Sequence, residues 1–400
     1  MTDTPALYGG TPVRDQPMGY GSQTIEQRDK DAVLDGLDGD YISRGPTVEA
    51  FEEAMADYIG VDHAVATTSG TTALQLVGAA MDFGPGDEIV TTPLTFVAST
   101  YPACHQGAKP VFADIDPETR TLDPAAVRDA ITPETVALLP MHYGGHPCDI
   151  EELLAIADEH DLQVIWDCCH ALGTEYEGKQ IGAQRDVATF SFHPVKNITT
   201  GEGGMVVTDD DDLAAELESL RSFDMNYDVP GHEDEPWYQV SEGLGFNFNV
   251  TDFQAALGHE QLGRIEDFKH RRQEIVDRYD QAFADIPGLE TPVVEDGVDP
   301  MLHLYAVEIA AEFGCSRKEF VNAMHAEDIY VQVHYVPLHY HTYFQSEYGY
   351  ERGQFPNTEA VYERLVSLPL YPAMDAEDVE DVVRAVERLH DYHTDSVRGE

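Results

Sequence analysis

The segment DVATFSFHPVKNITTGEGGMVVT, residues 186–208, decides how this chain is read. Asp186 to Phe192 is a run of β-branched and aromatic residues, and Met205 to Thr208 is a second one. Between them stand Lys196 and the turn Thr199-Thr200-Gly201-Glu202-Gly203-Gly204. Two strands joined through a glycine-rich turn put the lysine at a sheet edge, beside a backbone free to adopt conformations closed to other residues. Working outward, short apolar runs alternate with helical patterns from about residue 60: His63 to Thr68, Glu88 to Thr91, Pro110 to Ala113, Thr135 to Leu139 and Gln163 to Asp167. That alternation predicts an α/β fold with a mostly parallel sheet.

Past residue 208 the four acids Asp209 to Asp212 read as a helix start, because carboxylates favour the positive end of a helix. From Val250 the pattern becomes one long helical stretch, with Phe253, Leu257, Leu262, Ile265, Phe268, Ile275 and Tyr279 recurring near the helical period through to Phe283. Beyond Pro287, Gly288 and Pro292 come shorter elements: Leu304 to Ile309, Arg317 to Ala326, Val331 to Tyr335 and Asp375 to Leu389. They predict a smaller α+β C-terminal domain. The boundary is expected near residue 270, with a large domain and N-terminal arm over 1–270 and the small domain over 271–400.

Four hundred residues, 42% of them hydrophobic, suffice for a real core. No apolar stretch approaches the ~20 residues of a bilayer span, and Met1 to Pro5 lack the basic and apolar regions of a secretory signal. The expected location is the cytoplasm, with no membrane partner. Acids outnumber bases 75 to 23, leaving a formal charge of −52 spread along the chain. Such a surface repels itself in dilute buffer and nucleic-acid backbones everywhere, which points to a salt-rich, halophilic interior and away from DNA or RNA. The five cysteines lack a disulfide-scaffold spacing. Cys168, Cys169 and His170, with His142, His146 and Cys148, raise a zinc site for consideration, but no standard ligand spacing supports it.

Of only six lysines, Lys196 alone has a catalytic-looking setting. An imine-forming lysine must be deprotonated part of the time, through removal from water or a cationic neighbour. Ser69-Gly70-Thr71-Thr72-Ala73 follows a strand and opens a helix, where free amides and the helix dipole suit a phosphate. Ser191 offers a further hydroxyl. Asp167 ends the strand Leu162 to Asp167 and points to the crevice where α/β proteins bind ligands; an acid there would keep a pyridine nitrogen protonated. His170 is placed to meet the phenolic oxygen of such a ring, and Phe96 to stack on its face. Each residue alone has a plainer reading: a solvated lysine, ordinary caps at Ser69 and Asp167, a core histidine, a core phenylalanine. In this order they specify pyridoxal 5'-phosphate.

The ordered set resembles the DegT/StrS-type family of nucleotide-sugar aminotransferases, from about residue 20 almost to the end. The resemblance is carried by Asp40-Tyr41-Ile42-Ser43-Arg44-Gly45-Pro46, Ser69-Gly70-Thr71-Thr72-Ala73-Leu74, Phe112-Ala113-Asp114-Ile115-Asp116, Ser191-Phe192-His193-Pro194-Val195-Lys196, Gly201-Glu202-Gly203-Gly204, Gly245-Phe246-Asn247-Phe248-Asn249 and Val333-His334-Tyr335-Val336-Pro337-Leu338-His339. It implies a fold-type I PLP-dependent aminotransferase: a large seven-stranded sheet domain, a small C-terminal domain and a homodimer. It further implies Lys196 as the lysine holding the cofactor as an imine, Asp167 as the pyridine partner, and Gly70, Thr71 and Ser191 on the phosphate. Phe96 would stack, His170 would sit beside the ring, and Asn247 would reach the phosphate of the neighbouring subunit. Many members carry arginine where Asn249 stands, and Cys168-Cys169 replaces a common alanine pair. Some relatives in the family replace the lysine with histidine and eliminate water, and Lys196 argues against that here.

Within the family, the stretches 198–204, 220–225 and 332–335 look most like enzymes that aminate a UDP-4-keto-6-deoxy-N-acetylhexosamine for surface polysaccharide or glycan biosynthesis. The implied reaction takes the amino group from glutamate, with Ser43, Arg44 and His334 as sugar contacts and no metal. The competing expectations are a different PLP reaction on a small amino acid, a non-catalytic PLP-binding regulator, or a zinc protein.

Overall fold

The computed structural model describes residues 4–398, with side chains through 394. Its centre is a seven-stranded sheet built from β1 (His63–Thr67), β2 (Glu88–Thr91), β3 (Lys109–Phe112), β4 (Thr135–Leu139), β5 (Gln163–Asp167), β6 (Val187–Ser191) and β7 (Gly204–Thr208), in the order β1-β7-β6-β5-β4-β2-β3. Only β7 runs against its neighbours, pairing antiparallel with both β1 and β6. The rest of the sheet is parallel. Strands covered on both faces read as near-continuous apolar runs, and β4, β6 and β7 do so, being almost wholly buried.

The principal helices are α1 (Gln27–Asp38), α2 (Pro46–Ile59), α3 (Gly70–Ala80), α4 (Ile150–His160), α5 (Asp211–Arg221), α6 (Asp252–Leu262), α7 (Ile265–Phe283), α8 (Arg317–Ala326) and α9 (Ala376–Arg398). Asp210 caps α5, its Oδ1 accepting the Leu213 amide at 3.0 Å, with Asp211 and Asp212 in the first turn. The acidic run is therefore a helix start, as read. The long helical stretch after Val250 is two helices, broken at Gly263 and Arg264. The break turns Arg264 inward, where its guanidinium pairs with the fully buried Asp29 of α1.

Helix α7 serves two cores. Ile265 and Phe268 pack with Trp166, Phe190 and Phe192 under the large sheet. Ile275, Val276, Tyr279 and Phe283 belong to a second cluster with α8, α9 and a three-stranded antiparallel sheet of β8 (Leu289–Glu290), β9 (Tyr305–Ile309) and β10 (Leu365–Leu368). Residues 331–335, expected as a strand, form a loop that touches the sheet through one bridge, Gln332 to Ser367. Its backbone is held instead by Tyr143, whose hydroxyl donates to the His334 carbonyl, and this turns Tyr335 towards the large sheet. No helix among the described residues is long and apolar enough to cross a membrane.

Candidate active site

Where the parallel strands end, a cavity of about 290 Å³ opens between the sheet, the start of α3 and the 331–335 loop. Eight of the eleven residues singled out from the sequence line it: Gly70, Thr71, Phe96, Asp167, His170, Ser191, Lys196 and His334. Adjacent strands deliver two of them, since Asp167 ends β5 and Ser191 ends β6.

Ser69 caps α3, its Oγ accepting the Thr72 amide at 3.1 Å. The next two amides, of Gly70 and Thr71, take no acceptor from the described protein, and both residues face the cavity. Glycine is required at position 70, because a Cβ there would lie 2.6 Å from Ser191 Cβ. Gly204 serves the same junction from β7, where a Cβ would meet the Ser69 carbonyl at 2.4 Å. The result is a pair of open amides at the positive end of a helix, beside the hydroxyls of Thr71 and Ser191, which fits a phosphate dianion. The plain N-cap reading of Ser69 also holds, and the two uses are compatible.

Asp167 is 3% exposed. Its Oδ2 accepts Ser99 Oγ–H at 2.7 Å and its Oδ1 accepts the Cys169 amide at 3.1 Å. Thr95 Oγ1 lies 2.6 Å from Ser99 Oγ, so with Ser99 donating to the carboxylate, Thr95 donates to Ser99. The chain of donors fixes the orientation of the carboxylate. Lys196 is half-buried, and among the described residues its amine has no ion pair and no hydrogen bond. Burial holds its pKa below the ordinary lysine value, opposed by the negative potential of Cys169 and Asp167. An amine kept partly neutral is what imine chemistry needs.

His170 is neither solvated nor a simple core residue. Its Nδ1 accepts the Gly144 amide at 3.3 Å, which places the ring proton on Nε2, 2.9 Å from Tyr335 Oη. The Tyr335 hydroxyl thus accepts from His170 and keeps its own proton for the cavity. Burial keeps His170 and His303 well below the ordinary histidine range, and His334 is pushed down to about 4 by burial and then by Lys196. Phe96 is 53% exposed at the rim, 5.9 Å from the Tyr335 ring, so the reading of Phe96 as core fails.

Three residues stand elsewhere. Ser43 bridges to Thr251, Arg44 is exposed with φ 56, and Asn247 is exposed with its Oδ1 accepting Asn249 Nδ2 at 3.0 Å. None of them lines the cavity of its own chain. Conversely, Tyr20, Ser99, His303 and Tyr335 line it without having been singled out. Ser99 lies three residues from Phe96, a helical turn that placed both on the same face; His303 and Tyr335 carry no comparable signal. The cysteine and histidine segments weighed for zinc are otherwise engaged: Cys168 and Cys148 are core residues, and His142 Nδ1 accepts the Cys148 amide.

The donors present fit pyridoxal phosphate: amides and hydroxyls for the phosphate, a carboxylate for the ring nitrogen, and an unpartnered amine inside the cavity for the aldehyde carbon. The fold and this donor set define a fold-type I, pyridoxal-phosphate-dependent aminotransferase. A model of the DegT/DnrJ/EryC1/StrS aminotransferase family matches residues 23–387, and the chain belongs to that family. It is 42% identical over 375 residues to the spore coat polysaccharide biosynthesis protein SpsC of Bacillus subtilis (strain 168), covering 92% of this chain and 95% of that protein. Among solved structures it is similar to Helicobacter pylori PseC, an aminotransferase involved in the biosynthesis of pseudaminic acid, with TM-score 0.88 at 29% identity over 94% of this chain and 100% of that one. Spr1654 from Streptococcus pneumoniae, solved in a PLP form, matches with TM-score 0.87 at 27% identity over 94% and 99% of the two chains.

Proposed function

We infer that this enzyme moves the amino group of glutamate to a nucleotide-linked keto-sugar, a UDP-4-keto-6-deoxy-N-acetylhexosamine, in the making of a surface polysaccharide or glycan. The observation that carries the reading is the unpartnered Lys196 amine in one cavity with the donor-fixed Asp167 carboxylate. Beyond Lys196 and the carboxylates of Asp167 and Glu202, the lining offers the hydroxyls of Tyr20, Ser69, Thr71, Ser99, Ser191 and Tyr335, and the imidazoles of His170, His303 and His334, whose pKa values burial pushes down. The many hydroxyl and imidazole groups suit a hydroxyl-rich ring. The kinship with SpsC and PseC, whose names concern polysaccharide and pseudaminic acid, supports the same substrate class.

Bound pyridoxal phosphate supplies an aldehyde that exchanges amines and a ring that withdraws electrons. Lys196 then has two tasks: it holds the aldehyde carbon and, once freed, moves the proton at the substrate's α-carbon. Asp167 holds a proton at the ring nitrogen, with Ser99 and the Cys169 amide fixing its angle. Gly70, Thr71 and Ser191 hold the phosphate, Phe96 covers one face, and His170 presents the Tyr335 hydroxyl. His334 is assigned to the sugar.

In this reading the enzyme is a cytoplasmic homodimer divided near residue 270. Asn247 serves the neighbouring subunit's phosphate, and Ser43 and Arg44 approach the sugar from outside the cavity of their own chain. Phe223, Tyr227 and Leu244, which share a hollow next to the Ser222–Asn247 bridge, are exposed, Leu244 to 95%, which supports a partner on that face. The test is to incubate the purified protein in strong salt with glutamate and the UDP-keto-sugar. Formation of 2-oxoglutarate and the amino-sugar in equal amounts is expected. Release of 2-oxoglutarate without amination of any keto-sugar offered would overturn the substrate assignment.

A further inference from the structure

Far from the cavity, three parts of the chain converge on one point. Cys315 precedes α8, Glu319 lies in its first turn, and His393 projects from the last turns of α9. The thiol sulfur, a carboxylate oxygen and a ring nitrogen all lie within 4.8 Å of one another, the one such group of three donors among the described residues. Tyr8, at the end of the turn Ala6–Tyr8, closes a fourth side: its Oη donates to Glu319 Oε1 at 2.5 Å and lies 3.3 Å from His393 Nε2. Cys315 is buried, while Glu319 and His393 are half-buried, so the group is reachable without being an open surface cluster.

Local backbone supports the convergence. Gly314 has φ 99, and a Cβ there would stand 2.9 Å from His393 Cβ. Only glycine both adopts that conformation and lets the Cys315 loop close on α9. The Tyr8 ring stacks on Tyr392 at 4.4 Å, holding the N-terminal turn against the same helix.

We propose that Cys315, Glu319 and His393 bind a zinc ion that fastens the N-terminal turn and the start of α8 to α9. One thiolate, one imidazole and one carboxylate are the donors zinc takes, at bonds of about 2.0–2.3 Å, whereas magnesium and calcium prefer all-oxygen sites. Such bonds place donors roughly 3.3–3.8 Å apart, so closing this group requires side-chain shifts of about 1 Å and no rearrangement of the backbone. Binding displaces the Cys315 proton to solvent; no electron transfer is involved. The Tyr8 hydroxyl or a water completes the tetrahedron, and Glu319 has a second oxygen with which to keep Tyr8. None of the four residues lines the cofactor cavity, so the site is structural.

The test uses the full-length, cofactor-loaded enzyme in strong salt, equilibrated with zinc alone in a metal buffer and then desalted. About one zinc per chain is expected to remain in the wild type. Cys315→Ser and His393→Gln should each lose it while retaining the cofactor's visible absorption and transamination of glutamate. A chelator should lower the melting temperature of the wild type and leave both variants unmoved. Zinc retained equally by the wild type and both variants, or retained by none, overturns the proposal. If one variant fails to fold, as judged by its visible absorption, the other decides alone. Magnesium in place of zinc should neither bind nor raise the melting temperature; an equal response to magnesium would mark acidic-surface binding and also overturn it.

Discussion

Ser99 donates to Asp167 Oδ2 at 2.7 Å, and this one bond joins the 95–100 segment over the cavity to the carboxylate that ends β5. A hydrogen bond to a charged group contributes about 1.5–3 kcal/mol, more than a neutral one. Ser99→Ala should therefore lower the rate of the glutamate half-reaction by roughly ten- to a hundredfold, with a loss of stability of about 1–3 kcal/mol beside it. Single-turnover spectroscopy checks this. Thr95→Ala should follow in the same direction with a smaller effect, because it acts through Ser99.

Gly70 sets the closeness of α3 to β6. In Gly70→Ala the new methyl meets Ser191 Cβ, and overpacking of this kind costs about 1–3 kcal/mol. The cost falls on the phosphate cradle, so the dissociation constant for pyridoxal phosphate should rise about tenfold or more. Cofactor titration of the apoenzyme measures it, and the double variant Gly70→Ala with Ser191→Gly should recover part of the loss.

His334 is held neutral down to a pKa of about 4 in the folded chain, against an ordinary 6.5. Between those values the unfolded chain binds a proton that the folded one does not. Stability therefore rises with pH across this window and is lost as pH falls from 6.5 towards 4, by at most about 3 kcal/mol from this residue. Melts of the wild type against His334→Asn should diverge in slope between pH 4 and 6.5 and run parallel above 7. Parallel lines throughout would show that His334 is already charged in the fold.

The charge of −52 predicts a strong dependence on salt. Raising potassium chloride from 0.1 M to 1 M shortens the screening length from about 10 Å to about 3 Å and weakens repulsion among the surface acids. The melting temperature should climb over this range. A melting temperature that falls would mean that surface ion pairs such as Arg278 with Glu380 outweigh the repulsion.

Much of the fold is legible because a sheet buried on both faces writes its strands as unbroken apolar runs, and the apolar runs for β4 to β7, the antiparallel β7 included, match the observed strands within a residue or two. The site was legible where its residues terminate those strands or open α3, as Asp167, Ser191 and Gly70 do. Residues delivered by tertiary contact were not. His303 is brought under His170, with ring centres 4.5 Å apart, by the backbone bond from its own amide to Gly144, and no spacing in the sequence reports that meeting. Tyr335 falls in a segment whose pattern suits a strand, but its loop is held by Tyr143, nearly two hundred residues earlier in the chain. The helix break at Gly263 was hidden because the apolar period continues through it, while the buried pairing of Arg264 with Asp29 depends on α1, more than two hundred residues earlier.

The role of Lys196 is tested most directly by the visible absorption of the cofactor-loaded protein before and after glutamate, in wild type and in Lys196→Ala. The wild type should lose its visible band and release one equivalent of 2-oxoglutarate per site. The variant should melt like the wild type, bind the cofactor through Asp167 and the Gly70 cradle, and release none. Near-normal 2-oxoglutarate formation by Lys196→Ala would contradict the assignment.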